Sequence, residues 1–157
     1  MTFTARKMTH DDVAACVAIL NHTIELGGTT AHEEVMTEAD FRDHYCDEPP
    51  VNNVVIQDGR VVGFQAAFDV GDGLYSIGSF TDQKTPARGA GRALFDKTLS
   101  DCQARGGVAI LAKITADNVP GLAYYTKMGF QDWKTVPDDH TRRTGEKVDR
   151  VIKRYPL

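Results

Sequence analysis

Two arginines four positions apart, Arg88 and Arg92, enclose Gly89, Ala90 and Gly91, and Ala93 follows. Residues this small let a ligand come close to the backbone. The residues after them (Leu94, Phe95, Thr98, Leu99 and Cys102) recur at helical spacing, so the stretch reads as the turn into a helix. The first N–H groups of a helix lack internal partners, and its dipole is positive at that end. Such a terminus suits a phosphate, and two guanidiniums on its rim would add charge-assisted hydrogen bonds. No Lys-Ser/Thr pair follows the glycines, so this is not a Walker loop. A third glycine is missing too, which excludes the dinucleotide fingerprint. On this stretch alone, a glycine turn that binds nothing stays open.

A second group of chemical residues lies downstream, in Asn118-Val-Pro-Gly121-Leu122-Ala-Tyr124-Tyr125-Thr-Lys127-Met-Gly129-Phe130. A phenol is neutral at pH 7 and can donate a proton. Read alone, Tyr124 and Tyr125 are equally two packing aromatics on a short helix, and Asn118 or Asp117 is its cap. Candidates for a general base are His32, Glu33, Glu34, Asp69 and Asp82. Each by itself also reads as a solvated surface group, and a water chain is an equal alternative. The strand-like stretch 74–81 holds no carboxylate. His10, His22, His44 and His140 show no metal-ligand spacing, so no metal is expected. Cys16, Cys46 and Cys102 form no CxxC pair, which points to reduced thiols rather than disulfides or a nucleophile. Arg142-Arg143 reads as part of a solvated loop, or as a grip for a substrate carboxylate.

The elements that must position these residues follow from patterning. A strand over 3–8 precedes a capping box at Thr9-His-Asp11-Asp12 and a helix carrying Val13, Val17, Leu20 and Ile24. Thr37 starts a short second helix closed by Pro49-Pro50. Strands 53–57 and 60–69 are joined by Asp58-Gly59, a strong hairpin signal. A strand over 74–80 feeds the glycine turn and the central helix, and a buried strand over 108–114 leads to the short helix after Asn118. A strand begins at 130–134, residues 136–147 read as a loop, and 148–155 alternates into the last strand. The order βααβββαβαββ describes a mixed α/β fold around one mostly antiparallel sheet, with helices on both faces. The chain of 157 residues suits one domain, 1–157, with a full core. Its net charge of −4 and pI near 5.7 argue against nucleic acid or an anionic membrane as partner. With neither a signal peptide nor an apolar run of spanning length, a cytoplasmic protein is expected.

Both motifs match one family. Arg88-Gly89-Ala90-Gly91-Arg92-Ala93 fits Q/R-x-x-G-x-G/A, and 118–130 fits N-x-x-A/G-(aliphatic)-x-(aromatic)-Y-x-K-x-G-F. In these motifs, in this order, the chain resembles the GNAT superfamily of acyl-CoA-dependent N-acetyltransferases. The resemblance implies that Arg88, Gly89, Ala90, Gly91, Arg92 and Ala93 hold the pyrophosphate of acetyl-CoA, used as co-substrate without a metal. It places the pantetheine arm between two splayed strands, here 74–81 and 108–114, with Asn118 beside it. A backbone N–H near Phe80 or Thr81 would polarise the thioester, and Tyr125 would protonate the leaving thiolate. Tyr124 falls at a packing position. The pattern Asn21-His22-Thr23-Ile24 and the Thr-rich segment ending in Glu33-Glu34 resemble the phosphinothricin-acetyltransferase-like branch, so His32, Glu33 and Glu34 are placed near the substrate. The expected activity is N-acetylation of a small primary amine, an amino acid or analogue, by direct attack in a ternary complex. A non-catalytic acyl-CoA-binding module and a protein N-acetyltransferase are the alternatives. The resemblance also implies a homodimer.

Overall fold

Local sequence chemistry sets most of the element boundaries. The computed structural model describes residues 2–157, in the order β1 (Thr4–Lys7), α1 (Val13–Leu26), α2 (Glu38–Phe41), β2 (Val51–Gln57), β3 (Arg60–Asp69), β4 (Leu74–Thr81), α3 (Ala90–Ala104), β5 (Ala109–Thr115), α4 (Val119–Met128), β6 (Gln131–Thr141) and β7 (Lys147–Pro156). A 3₁₀ turn (His10–Asp12) precedes α1, and a π-helical stretch (Arg42–Asp47) prolongs α2. The capping box forms as expected, with the Thr9 N–H donating to Asp12 Oδ2 at 2.8 Å. Thr37 Oγ1 accepts the Asp40 N–H at 3.1 Å and starts α2. Asp58 and Gly59, with φ of 51° and 74°, make the two-residue turn between β2 and β3.

The strands form one sheet in the order β1-β2-β3-β4-β5-β7-β6. β4 and β5 run parallel, while the other neighbouring pairs are antiparallel. Their pairing is brief: Leu74 with Ala109, Tyr75 with Ile110, and Ser76 with Leu111. Beyond these pairs β4 stays bonded to β3 as far as Thr81, and β5 to β7 as far as Thr115. The strands therefore part inside an otherwise continuous sheet. The expected splay is present.

Alternation along the strands sends side chains to two separate cores. One face packs Phe64, Ala66 and Val54 against Cys16, Leu20, Phe41 and Tyr45 of the α1/α2 side. The other packs Ile77, Ile110, Ala112 and Ile114 against Phe95, Cys102, Tyr125 and Met128 of α3 and α4. Each face of the splay is thus walled by its own helix pair.

One expected element is corrected. Residues 136–147 are not a loop: β6 continues to Thr141, β7 starts at Lys147, and a turn joins them. β6 is an edge strand exposed along nearly its whole length, so its residues carry no alternating apolar signal. Pro137 falls where the register shifts between Val136 and His140, a position that needs no N–H. The ribbon closes with Gly145 N–H donating to Arg142 O at 2.8 Å.

Candidate active site

The splay opens into a cavity of about 440 Å³ whose lining includes Ile77–Thr81 of β4, Lys113–Thr115 of β5, Asn118, Tyr124 and Tyr125 of α4, and Thr29–His32 of the α1–α2 loop. Backbone polarity at its edge follows from the β3–β4 ladder. Asp82 N–H donates to Val62 O at 2.9 Å and Val70 N–H to Leu74 O at 3.0 Å, with an unbroken register between. Antiparallel alternation then turns the even-numbered residues of β4 toward β3 and the odd-numbered ones toward β5. The N–H groups of Ile77, Ser79 and Thr81 therefore face the opening, where β5 has departed. The N–H of Phe80 is directed to β3. Of the two donors expected from sequence, Thr81 fits and Phe80 does not. Phe80 contributes a ring, stacked on Phe64 at 5.2 Å between centroids.

The turn into α3 is built by its glycines for reasons internal to the chain. Gly89 caps the helix with φ of 95°, a left-handed conformation that side chains strain to adopt. A Cβ on Gly91 would stand 2.6 Å from Tyr124 Cε1. The missing side chain at 91 thus makes room for Tyr124, whose hydroxyl donates to Gly91 O at 3.0 Å. Tyr124 also accepts from Gln65 Nε2 at 3.3 Å. It is a clasp between α4 and the start of α3, more than the packing aromatic expected. Arg92 is engaged with Lys127 O at 3.3 Å and Asp96 at 3.6 Å. Arg88 is exposed and carries no hydrogen bond or ion pair among the described residues. None of residues 88–93 lines the cavity itself.

Asn118, not Asp117, caps α4. Its Oδ1 accepts the Gly121 N–H at 3.0 Å, and its Nδ2 donates to Thr29 O in the α1–α2 loop. Both ends of the amide are thereby engaged within the chain. Tyr125 is buried and lines the cavity, while its hydroxyl finds no hydrogen-bond partner among the described residues. Burial, with smaller contributions from Tyr124 and Tyr45, raises its pKa well above the ordinary phenol value. It stays protonated.

On the α1/α2 side, His32 is the one base candidate that reaches the lining; Glu33, Glu34, Asp69 and Asp82 do not. The His32 ring nitrogen Nε2 is hydrogen-bonded to Tyr45 Oη at 2.6 Å. Burial, and then the nearby His44, lower the pKa of His32, so the imidazole is neutral at pH 7. Glu33 accepts the Arg143 N–H at 2.9 Å, and Glu34 pairs with the Arg143 guanidinium at 2.9 Å. Neither lines the cavity, and both tie the α1–α2 loop to the β6–β7 turn. Arg142 joins the same turn to the segment between β5 and α4 through Asp117 at 2.7 Å. Asp82 pairs with Arg60, and Asp69 accepts the Gly71 N–H at a hairpin. Asn21 holds the far end of the loop with two bonds of 2.8 Å to the Met36 backbone.

The cysteines contribute no evident nucleophile. Cys102 is fully buried and its thiol is pushed up to about 12 by that burial. His10, Cys46 and Asp47 gather potential ligand atoms within 4.8 Å of one another, which sequence spacing does not reveal. His10 and Asp47 already pair at 2.7 Å, and none of the three lines the cavity.

A splayed parallel pair, a glycine-capped α3 and a tyrosine on α4 form a recognisable set, and the profile of the acetyltransferase (GNAT) family matches residues 17–130. The chain belongs to this family. It is a GNAT-type N-acetyltransferase. YwnH of Bacillus subtilis (strain 168), provisionally named a phosphinothricin acetyltransferase, is 26% identical over 144 residues, 85% of this chain and 87% of its own. The ribosomal protein bS18-alanine N-acetyltransferase of Escherichia coli (strain K12) is 24% identical over 107 residues, 68% and 72% of the two chains. A GNAT superfamily phosphinothricin acetyltransferase from Sinorhizobium meliloti, solved in complex with acetyl-CoA, superimposes with a TM-score of 0.86 at 20% identity, covering 100% of this chain and 89% of that one.

Four lining or adjoining residues of this GNAT enzyme escape sequence reasoning: Tyr45, Gln65, Ser79 and Lys113. Tyr45 and Gln65 sit in apolar stretches and look like core. Gln65 is fully buried and donates to Ser79 Oγ at 2.7 Å. Only the alternation of β3 and β4, once the register is known, shows that these side chains meet. No helix among the described residues is long and apolar enough to cross a membrane.

Proposed function

We propose that this acetyltransferase acylates the primary amine of a small molecule, an amino acid or a close analogue, by direct attack in a ternary complex. The observation that carries the reading is the opening between β4 and β5, with Tyr125 on one side and His32 on the other. In this reading the pyrophosphate of acetyl-CoA sits on the turn from Arg88 to Ala93, and pantetheine enters the splay. The thioester oxygen takes a hydrogen bond from the Thr81 or Ser79 N–H, where negative charge develops.

The acceptor nitrogen attacks the carbonyl carbon, the C–S bond breaks, and its electron pair leaves as thiolate. Tyr125 donates its proton to that sulfur. Burial disfavours a bare thiolate beside the phenol, which favours proton transfer to the sulfur. His32 takes the proton lost by nitrogen. In the tautomer whose Nε2–H donates to Tyr45, Nδ1 has a free lone pair for this.

The small-molecule reading is supported by the acceptor wall. The loop carrying Thr29–His32 is fastened to Asn118 and, through Glu33 and Glu34, to Arg143, which bounds the acceptor side. Likeness to YwnH points the same way, whereas likeness to the bS18-alanine enzyme points to a protein N-terminus. Thiol release from acetyl-CoA, measured over free amino acids, polyamines and short alanine-starting peptides, separates the two. Turnover concentrated on free amino acids is expected; preference for the peptides would replace this reading with protein N-acetylation. A homodimer belongs to the same proposal and is checked by sedimentation.

A further inference from the structure

Among the residues lining the cavity, Lys113 is the one aspartate, glutamate, lysine or arginine. Its alternation partners settle where it lies. Ile110, Ala112 and Ile114 pack under α3 and α4, so Lys113 belongs to the opposite, α1/α2 face of β5. Across the splay on that face stand Ser76, Gly78 and Phe80, the last beside His32 with ring centroids 6.3 Å apart. Lys113 is the exposed residue in a strand whose other six members are buried. No hydrogen bond or ion pair among the described residues engages it. The carboxylates nearest in sequence are otherwise occupied or distant from the cavity: Asp117 pairs with Arg142, and Asp101 with Lys97.

We propose that Lys113 binds a carboxylate carried by the acceptor next to its amine, and so confines this enzyme to anionic amines. The proposal rests on the small-molecule reading above. An unpaired ammonium in a cavity otherwise lined by neutral groups repels a second cation and attracts an anion. Attack requires the acceptor nitrogen uncharged, so a carboxylate is the part of an amino acid left for Lys113 to hold. The contact is a charge-assisted hydrogen bond at a partly water-excluded site. A polyamine brings only positive charge to Lys113, and a peptide N-terminus brings a neutral carbonyl. Both are disfavoured. Because Lys113 is on the α1/α2 face and the proposed cofactor side is walled by α3 and α4, acetyl-CoA affinity does not depend on it.

The test compares kcat/KM for each active amino acid with that for its own carboxamide, in the wild type and in Lys113→Met, Lys113→Arg and Lys113→Glu. Acetyl-CoA affinity is followed by calorimetry. The wild type is expected to prefer the acid by roughly tenfold or more, the scale of one charge-assisted contact. Lys113→Met should reduce the ratio toward one, mainly through KM, Lys113→Arg should retain it, and Lys113→Glu should invert it. Acetyl-CoA affinity should be unchanged throughout. An acid-to-amide ratio that survives in Lys113→Met would overturn the role of Lys113 while leaving the small-molecule reading intact. A loss of acetyl-CoA affinity in that variant would also overturn it, by moving Lys113 to the cofactor. Turnover confined to peptides overturns both proposals.

Discussion

The two faces of the splay are built in different ways. On the α3/α4 face the functional residues are close in sequence, and their geometry comes from turns and caps. Gly89, Gly91, Asn118, Tyr124 and Tyr125 belong to two short stretches locked together by the bond from Tyr124 to Gly91 O. On the α1/α2 face the wall is assembled from His32, Tyr45, Phe80 and Lys113, which come from four separate elements. It is held by long-range contacts such as Arg143 to Glu33 and Asn118 to Thr29. Under the proposed function, the cofactor side is compact and local, while the acceptor side is composite. Changes on the two faces should therefore differ in kind.

The sharpest way to break this contrast is on the cofactor face. Tyr125→Phe should lower kcat by roughly 10²-fold or more, the scale of a lost general acid, with acetyl-CoA affinity unchanged by calorimetry. Wild-type turnover would return Tyr125 to the core. Next in size is Gly91→Val. Its side chain would run into the Tyr124 ring, which should cost about 1–3 kcal/mol and lower Tm by several degrees while weakening acetyl-CoA binding. Arg88→Ala should weaken acetyl-CoA binding by roughly tenfold with no change in Tm, because no hydrogen bond or ion pair among the described residues engages Arg88. Unchanged affinity in both variants would remove the pyrophosphate from this turn.

Smaller effects should mark the acceptor face. Arg143→Ala loosens the loop without touching the cofactor side, so acceptor KM should rise a few-fold and acetyl-CoA affinity should hold. The wild type should approach the variant at high salt, because the pairs with Glu33 and Glu34 are exposed. His32 adds a pH signature. Its folded pKa lies below the ordinary value near 6.5, so the unfolded chain binds the proton more readily. Its contribution to stability is therefore full above about pH 6.5 and falls as pH drops through the lower folded value. His32→Gln should flatten that acid slope of Tm against pH and also remove the acid limb of kcat/KM. A slope that is the same in wild type and variant would detach both effects from His32.

The same contrast explains what could be read before the structure. The order of elements and the caps at Thr9 and Thr37 were legible, because each depends on residues near one another; the splay followed from the family resemblance, and the cap of α4 lay between Asn118 and Asp117. The continuation to Thr141 of the strand begun at 130–134 was not legible, since an exposed edge strand shows no alternating burial. The pairing of Glu33 and Glu34 with Arg143 was not legible, because a carboxylate in a polar loop looks the same whether it faces a cavity or an arginine. The choice between Phe80 and Thr81 as thioester donor stayed open in the sequence, because one residue reverses the direction of an N–H. Tyr45 and Lys113 gave no signal, since their significance lies in which face of a strand or helix meets the opening.

The most direct test of the account is a structure of the enzyme with acetyl-CoA bound. The account predicts pantetheine between β4 and β5, the thioester oxygen within about 3.2 Å of the Thr81 or Ser79 nitrogen, and the sulfur within hydrogen-bond reach of the Tyr125 hydroxyl. Acetyl-CoA bound elsewhere, or a sulfur turned away from Tyr125, would contradict it.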